Sequence, residues 1–372
     1  MTVVEVEGTV VEPYEVQNLD IMPAQRYSVL VKADQEPGNY WGTTAVRYRS
    51  TAPTGYINIK YKDAPEANLN LDGDLPSHPA WDVTQPSIDL ENNLFTKTPS
   101  SFDDADVLSA APDSIRRIIV VGTQANDKVL GQLRWTANNV TMTMSNAPII
   151  VSAYDAAAAD GAALWPDTKI PGTVVVPDRP PTTWNYTEPV QDSVGTYNGD
   201  RGPSYIALTE GEVVEIVLQN ARALNEVAEM HSWHLHGHSF YVVGHGFGTF
   251  DDETDPASYN LENPVRRDTA SVLPLGWTAI RFKANNPGAW AFHCTQPSHA
   301  VMGMGFNFIT APDKLEPPPP AARSCLENSL VPGTKTETES ENMPAEKSSA
   351  LVPRFKAAAV AVTVLVGLSL LG

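Results

Sequence analysis

The sequence predicts an all-β protein built on Greek-key β-sandwich architecture. Three observations predict it. Val, Ile, Thr and Tyr dominate the apolar runs, those runs alternate apolar and polar with period two, and Gly/Pro turns cut them at short intervals. The 31 prolines and the scarcity of Ala/Leu/Glu helical patterns before the C-terminal tail argue the same way. With 42 % hydrophobic and 19 % charged residues, 372 residues suffice for two domains and part of a third.

Taken in order, residues 1–65 read as strands of a partial β domain. The alternation starts in "TVVEVEGTVVEPY" and continues through "YSVLVKA" and "GYINIKYK", with "STAPTG" as a turn. Residues 66–112 are rich in Pro, Asp, Asn and Ser without a sustained period, which predicts a long surface linker between domains. Residues 113–312 resume with "RRIIVVGTQ" and run through "LRWTANNVTMTM", "GEVVEIVLQN", "SFYVVGHG", "WTAIRFKA" and "GAWAFHC" to "GMGFNFIT". That spacing suits one full sandwich. "SAYDAAAADGAAL" reads as a short helix or a loop. Residues 313–356 are a Pro-rich exit followed by a polar tail expected to be disordered. Residues 357–372 are apolar or small; as a helix at about 1.5 Å per residue they reach roughly 24 Å, short of a bilayer core of about 30 Å. They read as a cleaved glycolipid-anchor signal, after Ser348, Ser349 and Ala350, or as a short membrane helix.

The formal net charge of −19 and the absence of a basic stripe exclude nucleic acid as a partner. Two sequons, at Asn139 and Asn185, are compatible with glycosylation and an extracellular or cell-surface location. The chain opens directly on a strand-like pattern, so Met1 reads as an internal start. Only two cysteines occur, Cys294 and Cys325, and the first is embedded in a set of metal-ligand types.

That set lies in two stretches. "HSWHLHGHSF" holds His231, His234, His236 and His238, and "HCTQPSHAVMGMGF" holds His293, Cys294, His299, Met302 and Met304. In strands, alternate side chains share a face. His234 and His236 then point one way and His231 the other, and Cys294 faces away from His293 and Thr295. Two back-to-back sites follow. His231, Cys294, His299 and Met304 supply two imidazoles, a thiolate and a thioether, the donor types of a blue-copper electron-transfer centre. His234, His236 and His293 supply three imidazoles, a second copper-type donor set. His238 and His245 read as structural or surface histidines, and Met302 and the tryptophans, Trp135 among them, as core.

These stretches, with "YSVLVKADQEPGNYW" and "GWTAIRFKANNPGAWAFHC", resemble the C-terminal part of the multicopper oxidase family, most closely its plant ascorbate-oxidase type, over roughly residues 1–310. The resemblance implies cupredoxin-like domains, 1–65 being part of a second domain and 113–312 a C-terminal copper domain. It implies that His231, Cys294, His299 and Met304 bind the blue copper and that His234, His236 and His293 belong to a trinuclear copper cluster. Thr295 stands where the family has a further cluster histidine, and the histidines of a first domain have no counterpart here. Cys325 is placed like the family's C-terminal cysteine, which pairs with that first domain. The implied function is one-electron oxidation of ascorbate or phenol-like reductants near His299, the exposed edge of the blue site, coupled to dioxygen reduction to water. With the cluster incomplete, the alternative is a non-catalytic blue-copper electron-transfer or cell-surface structural protein.

Overall fold

The computed structural model describes residues 1–323 apart from 51, 63, 65–75, 128–130, 146–147, 160–164, 189–195, 198–199 and 225. The chain begins with β1 (Thr2–Val6), β2 (Thr9–Glu15), β3 (Tyr27–Leu30), β4 (Asn39–Thr44) and β5 (Gly55–Lys60), then helix α1 (Gln85–Asn92). There follow β6 (Ile115–Asp127), β7 (Gln132–Ala137), β8 (Thr141–Met142), helix α2 (Ile149–Ala159), β9 (Val174–Val175), β10 (Thr196–Tyr197), β11 (Arg201–Gly202), β12 (Ser204–Leu208) and β13 (Val213–Asn220). The last third holds β14 (His231–Leu235), β15 (Phe240–Phe247), β16 (Arg266–Arg267), β17 (Thr269–Val272), β18 (Gly276–Lys283), β19 (Gly288–Cys294), helix α3 (Pro297–Val301) and β20 (Gly305–Thr310).

Two mixed sheets dominate. One runs β10-β6-β13-β18-β15-β16, with β7 also on β6; the other runs β17-β14-β19-β20-β12-β9. Strands far apart in sequence are neighbours, as Greek-key connectivity requires. The alternation in β13 shows how the core is filled. Val214, Ile216 and Leu218 point between the sheets, while Val217 points out to a second apolar cluster with Val121 and Trp277. Facing them across the sandwich are Trp233, Leu235, Phe292, Phe306 and Phe308, all buried. Each such side chain contributes about 1.5–3 kcal/mol by leaving water. The strands of this core therefore position whatever β14 and β19 carry.

The N-terminal sheet β2-β1-β3 adds Val3, Val6 and Val11 to the same core. It is held there by a buried ion pair, Arg267 Nη2 to Glu7 Oε1 at 3.0 Å, with both side chains at 0 % exposure. The Glu7 carboxylate also accepts from Asp268 N at 2.7 Å and Thr269 N at 2.9 Å.

Two sequence expectations need correction or completion. The span 66–112 does not lie wholly on the surface: it contains α1, and Leu90, Leu94 and Val107 are buried. Its apolar residues are too sparse to show a period, yet these three reach a core while Trp81 and Val83 stay exposed. "SAYDAAAADGAAL" is helical through Ala159, as part of α2. Among the described residues no helix is long and apolar enough to cross a membrane; Cys325 and the apolar stretch 357–372 lie outside them.

Candidate metal centre

Register decides which side chains meet. β14 and β19 are antiparallel, with Trp233 opposite Cys294 and His234 opposite His293. His231, Trp233 and Cys294 therefore enter the core, and His234 and His293 emerge on the other face, as the period-two reading expects. Beyond Cys294 the chain turns through α3 and returns His299 to the thiol. The loop closes on its own backbone: Met304 N donates to His299 O at 3.0 Å, and Cys294 N donates to Met304 O at 3.0 Å. The glycines of "MGMGF" make this possible. Gly303 has φ +110°, and a Cβ there would stand 2.4 Å from Thr141 Cγ2; a Cβ on Gly305 would stand 2.7 Å from His293 Cβ.

On the buried face, one ligand atom from each of His231, Cys294 and His299 lies within 4.8 Å of the other two. The Cys294 Sγ is 3.9 Å from His231 Nδ1 and 3.7 Å from His299 Nδ1, and the two Nδ1 atoms are 3.2 Å apart. All three residues are at most 3 % exposed, and Met304 is fully buried beside Cys294 in the core. Burial pushes the Cys294 thiol up to about 12. Burial, then the neighbouring His299, depresses His231 to about 3, so its imidazole is neutral. Two imidazoles, that of His231 held neutral, and one thiol, with a thioether in the same core, fit a soft or borderline metal ion.

His299 is not an exposed edge. It is 3 % exposed and its Nε2 meets Glu229 Oε2 at 3.0 Å, while Glu229 in turn pairs with Arg49 at 2.9 Å. The hydrogen bond from His299 holds Glu229 below the usual carboxylate range. With Nε2 committed to Glu229, the Nδ1 lone pair is turned to the thiol, the usual job of an outer carboxylate on a ligating histidine. Trp135, expected only as core, packs on both imidazoles, with ring centroids 4.3 Å from His299 and 5.0 Å from His231. Glu229 carried no sequence signal beyond lying two residues before His231.

The other face is open. His236 Nε2 and His293 Nε2 are 3.1 Å apart and exposed. The His234 ring lies 4.8 Å from that of His236 and 6.1 Å from that of His293. His234 Nδ1 is 3.0 Å from both Asp268 O and Thr269 Oγ1 and 3.2 Å from Asp268 Oδ1; the side-chain hydrogen bond to the Asp268 carboxylate raises the His234 pKa. Asp268 itself would be pushed up by burial, but hydrogen bonds from Arg26, His234 and Thr269 hold it well below its ordinary value. Beside His234 lies a polar cleft of about 620 Å³ lined by His238, Arg266, Asp104 and Asp268. Thr295 projects on the His293 side, where its Oγ1 donates to Pro23 O at 2.7 Å and its N donates to Ser232 O at 2.8 Å. His238 is wedged between the Phe282 and Trp290 rings, and partly buried His245 has no place in either cluster.

A two-sheet sandwich that gathers two imidazoles and a thiol in its core, backed by further histidines on the facing side, has the fold and donor set of a metal-binding β protein. Comparison with known proteins gives the family. Multicopper oxidase family models match residues 1–64 and 175–314. The chain is 36 % identical over 328 residues to an L-ascorbate oxidase of Nicotiana tabacum, an alignment covering 87 % of this chain and 52 % of that protein. It is 32 % identical to Laccase-2 of Oryza sativa subsp. japonica, covering 86 % of this chain and 56 % of the relative. Among solved structures, Fet3p, a multicopper oxidase that functions in iron import, superposes with a TM-score of 0.59 at 22 % identity over 88 % of this chain and 55 % of that one. The laccase from Botrytis aclada gives 0.57 at 21 % identity over 88 % and 50 %. This chain belongs to the multicopper oxidase family, and it spans about half the length of the curated relatives it matches.

Proposed function

We propose that the chain is a copper oxidoreductase of the ascorbate-oxidase and laccase kind. In this reading it accepts electrons singly from a small ascorbate- or phenol-type reductant, and dioxygen is the terminal acceptor. The observation that carries the reading is the convergence of His231, Cys294 and His299 within 4.8 Å in the core. These residues, with Met304, would hold copper, which supplies a one-electron couple with a covalent thiolate contact.

The chain's own residues do the rest. Glu229 orients His299 through its Nε2, and the carboxylate itself is partly exposed. Trp135 and Trp233 exclude water from the thiol. Cys294 and His293 are adjacent, and His293 Nδ1 lies 2.9 Å from Cys294 O. Backbone bonds and this hydrogen bond thus connect the buried face to the exposed histidines, the direction in which electrons would leave. An extracellular setting belongs to the same proposal: Asn185 is exposed, as a glycosylated residue must be.

A second reading, a blue-copper electron carrier without oxygen chemistry, draws support from Thr295. Its hydroxyl is engaged with Pro23 rather than free on the histidine face. Copper-loaded protein separates the readings. About one copper per chain with an intense visible absorption that ascorbate bleaches supports the electron-accepting site. Ascorbate-dependent oxygen uptake then favours the oxidase, and bleaching without uptake favours the carrier. A colourless product that retains no copper would refute both.

A further inference from the structure

Strand β6 runs Ile118, Ile119, Val120, Val121 and then breaks its β-branched series with Gly122, at a point where nothing in the backbone asks for glycine. Gly122 pairs with Ala137 on one side and Asn220 on the other, as the end pair of each ladder but within β6 itself, and its φ is not positive. A glycine in a strand interior weakens the strand and marks close approach of another group. Here that group is Met304. Gly122 continues the inward face of Ile118 and Val120, and a Cβ on it would stand 2.1 Å from Met304 Cε and 3.7 Å from Met304 Sδ. Trp233 Cζ2 lies 3.4 Å from the same point. Met304 and Trp233 are at most 2 % exposed, so the thioether methyl, the flexible end of its side chain, can give way only by moving within a packed core.

We propose that Gly122 is the positioning residue for Met304: its missing side chain is the seat of the thioether methyl. It thereby sets where the sulfur stands relative to His231, Cys294 and His299. The inference rests on the copper reading of that site. It adds that the site's fourth member is placed by a strand distant in sequence and not by the 293–305 loop alone. A side chain at 122 must displace the methyl, and the sulfur moves with it.

The test uses four forms of the chain: unchanged, Gly122→Ala, Met304→Ala and the double variant. In the copper-loaded forms the readouts are the visible and electron paramagnetic spectra and the midpoint potential. Gly122→Ala is expected to keep about one copper per chain but to shift both spectrum and potential. In the Met304→Ala background the same change is expected to shift neither. In the metal-free forms, Gly122→Ala is expected to lower the melting temperature, and to do so far less when Met304 is alanine. Strand propensity alone predicts the opposite sign, since alanine outperforms glycine there. An unshifted spectrum and potential in copper-bound Gly122→Ala, or an equal melting change in both backgrounds, overturns the proposal. If Gly122→Ala alone does not fold, recovery of folding in the double variant supports the proposal and failure to recover overturns it. Failure of the unchanged chain to bind copper refutes the copper reading instead, and the metal-free melting comparison still decides the seat.

Discussion

Metal binding at the buried site is expected to release one proton per ion near neutral pH, the proton of the Cys294 thiol. His231 is already neutral, held down to about 3 by burial and by His299. The Cys294 thiol is pushed up to about 12 by burial and is almost wholly protonated at pH 7. Ionising it there costs (12 − 7) units at about 1.4 kcal/mol each, roughly 7 kcal/mol, against about 2 kcal/mol for an ordinary thiol near 8.5. The metal–thiolate bond must exceed that cost before any net affinity appears. Affinity should therefore rise about tenfold per pH unit between roughly pH 6 and 9. Calorimetric titration in buffers of different ionisation enthalpy counts the protons directly. A pH-independent affinity with no proton released would refute the reasoning, since the thiol would then not be a ligand or would already be ionised. Two protons would mean that an imidazole enters the site charged. Cys294→Ser should abolish the pH slope together with the visible absorption.

Three further outcomes follow from the same contacts. In the metal-free protein, the depressed His231 contributes stability that is present above about pH 6.5 and lost as pH falls toward 3, at most about 5 kcal/mol; a His231→Leu variant should show a shallower acid limb in thermal melts, and an unchanged limb would count against the depression. Replacing the carboxylate that orients His299, in Glu229→Gln, should weaken copper binding about 10–100-fold while leaving stoichiometry intact; direct competition titration against a chelator reads it, and unchanged affinity would remove Glu229 from the site. Glu7→Gln leaves Arg267 buried and poorly compensated, which should cost about 3–5 kcal/mol in denaturant unfolding, whereas Glu7→Gln combined with Arg267→Met should cost less; a larger loss in the double variant would contradict that account.

The division into two faces was legible in the sequence because strand periodicity is local. Given strands at "HSWHL" and "GAWAFHC", alternation alone separates His231 and Cys294 from His234 and His293. The convergence of His299 on the thiol was legible too, since five residues make one turn. What the sequence hid depends on pairings at long range. Arg49 reaches Glu229 across 180 positions, and Pro23 meets Thr295 across 272. The burial of His299 follows from Glu229 and Trp135 closing over it, neither of which has a pattern to announce the contact. Helix α1 was missed because one turn of apolar residues among Pro, Asp and Asn gives no period. Gly122 has no pattern of its own in "IIVVGTQ"; only the approach of Met304 marks it.

Thr295 is where the two faces make different demands. The buried donors keep their geometry through packing: Trp135, Trp233 and the aromatic core fix His231, Cys294 and His299 before any ion arrives. The outer imidazoles have no such enclosure, and the position beside His293 is used as a tether. The Thr295 hydroxyl holds the Pro23 carbonyl at 2.7 Å, and Gln25 of the same segment reaches Thr269 O at 3.5 Å, so residues 22–25 are drawn over this end of β14 and β19. An imidazole at 295 is larger than the hydroxyl it would replace and must expel that carbonyl. Thr295→His should therefore lose the tether, at a cost of about 1 kcal/mol for the hydrogen bond, while the visible absorption of the copper-loaded core stays as it is. Denaturant unfolding of the metal-free protein and the visible spectrum of the loaded protein read the two faces separately. An undiminished stability would mean that the Pro23 contact tethers nothing. A lost absorption would mean that packing alone does not hold the inner donors.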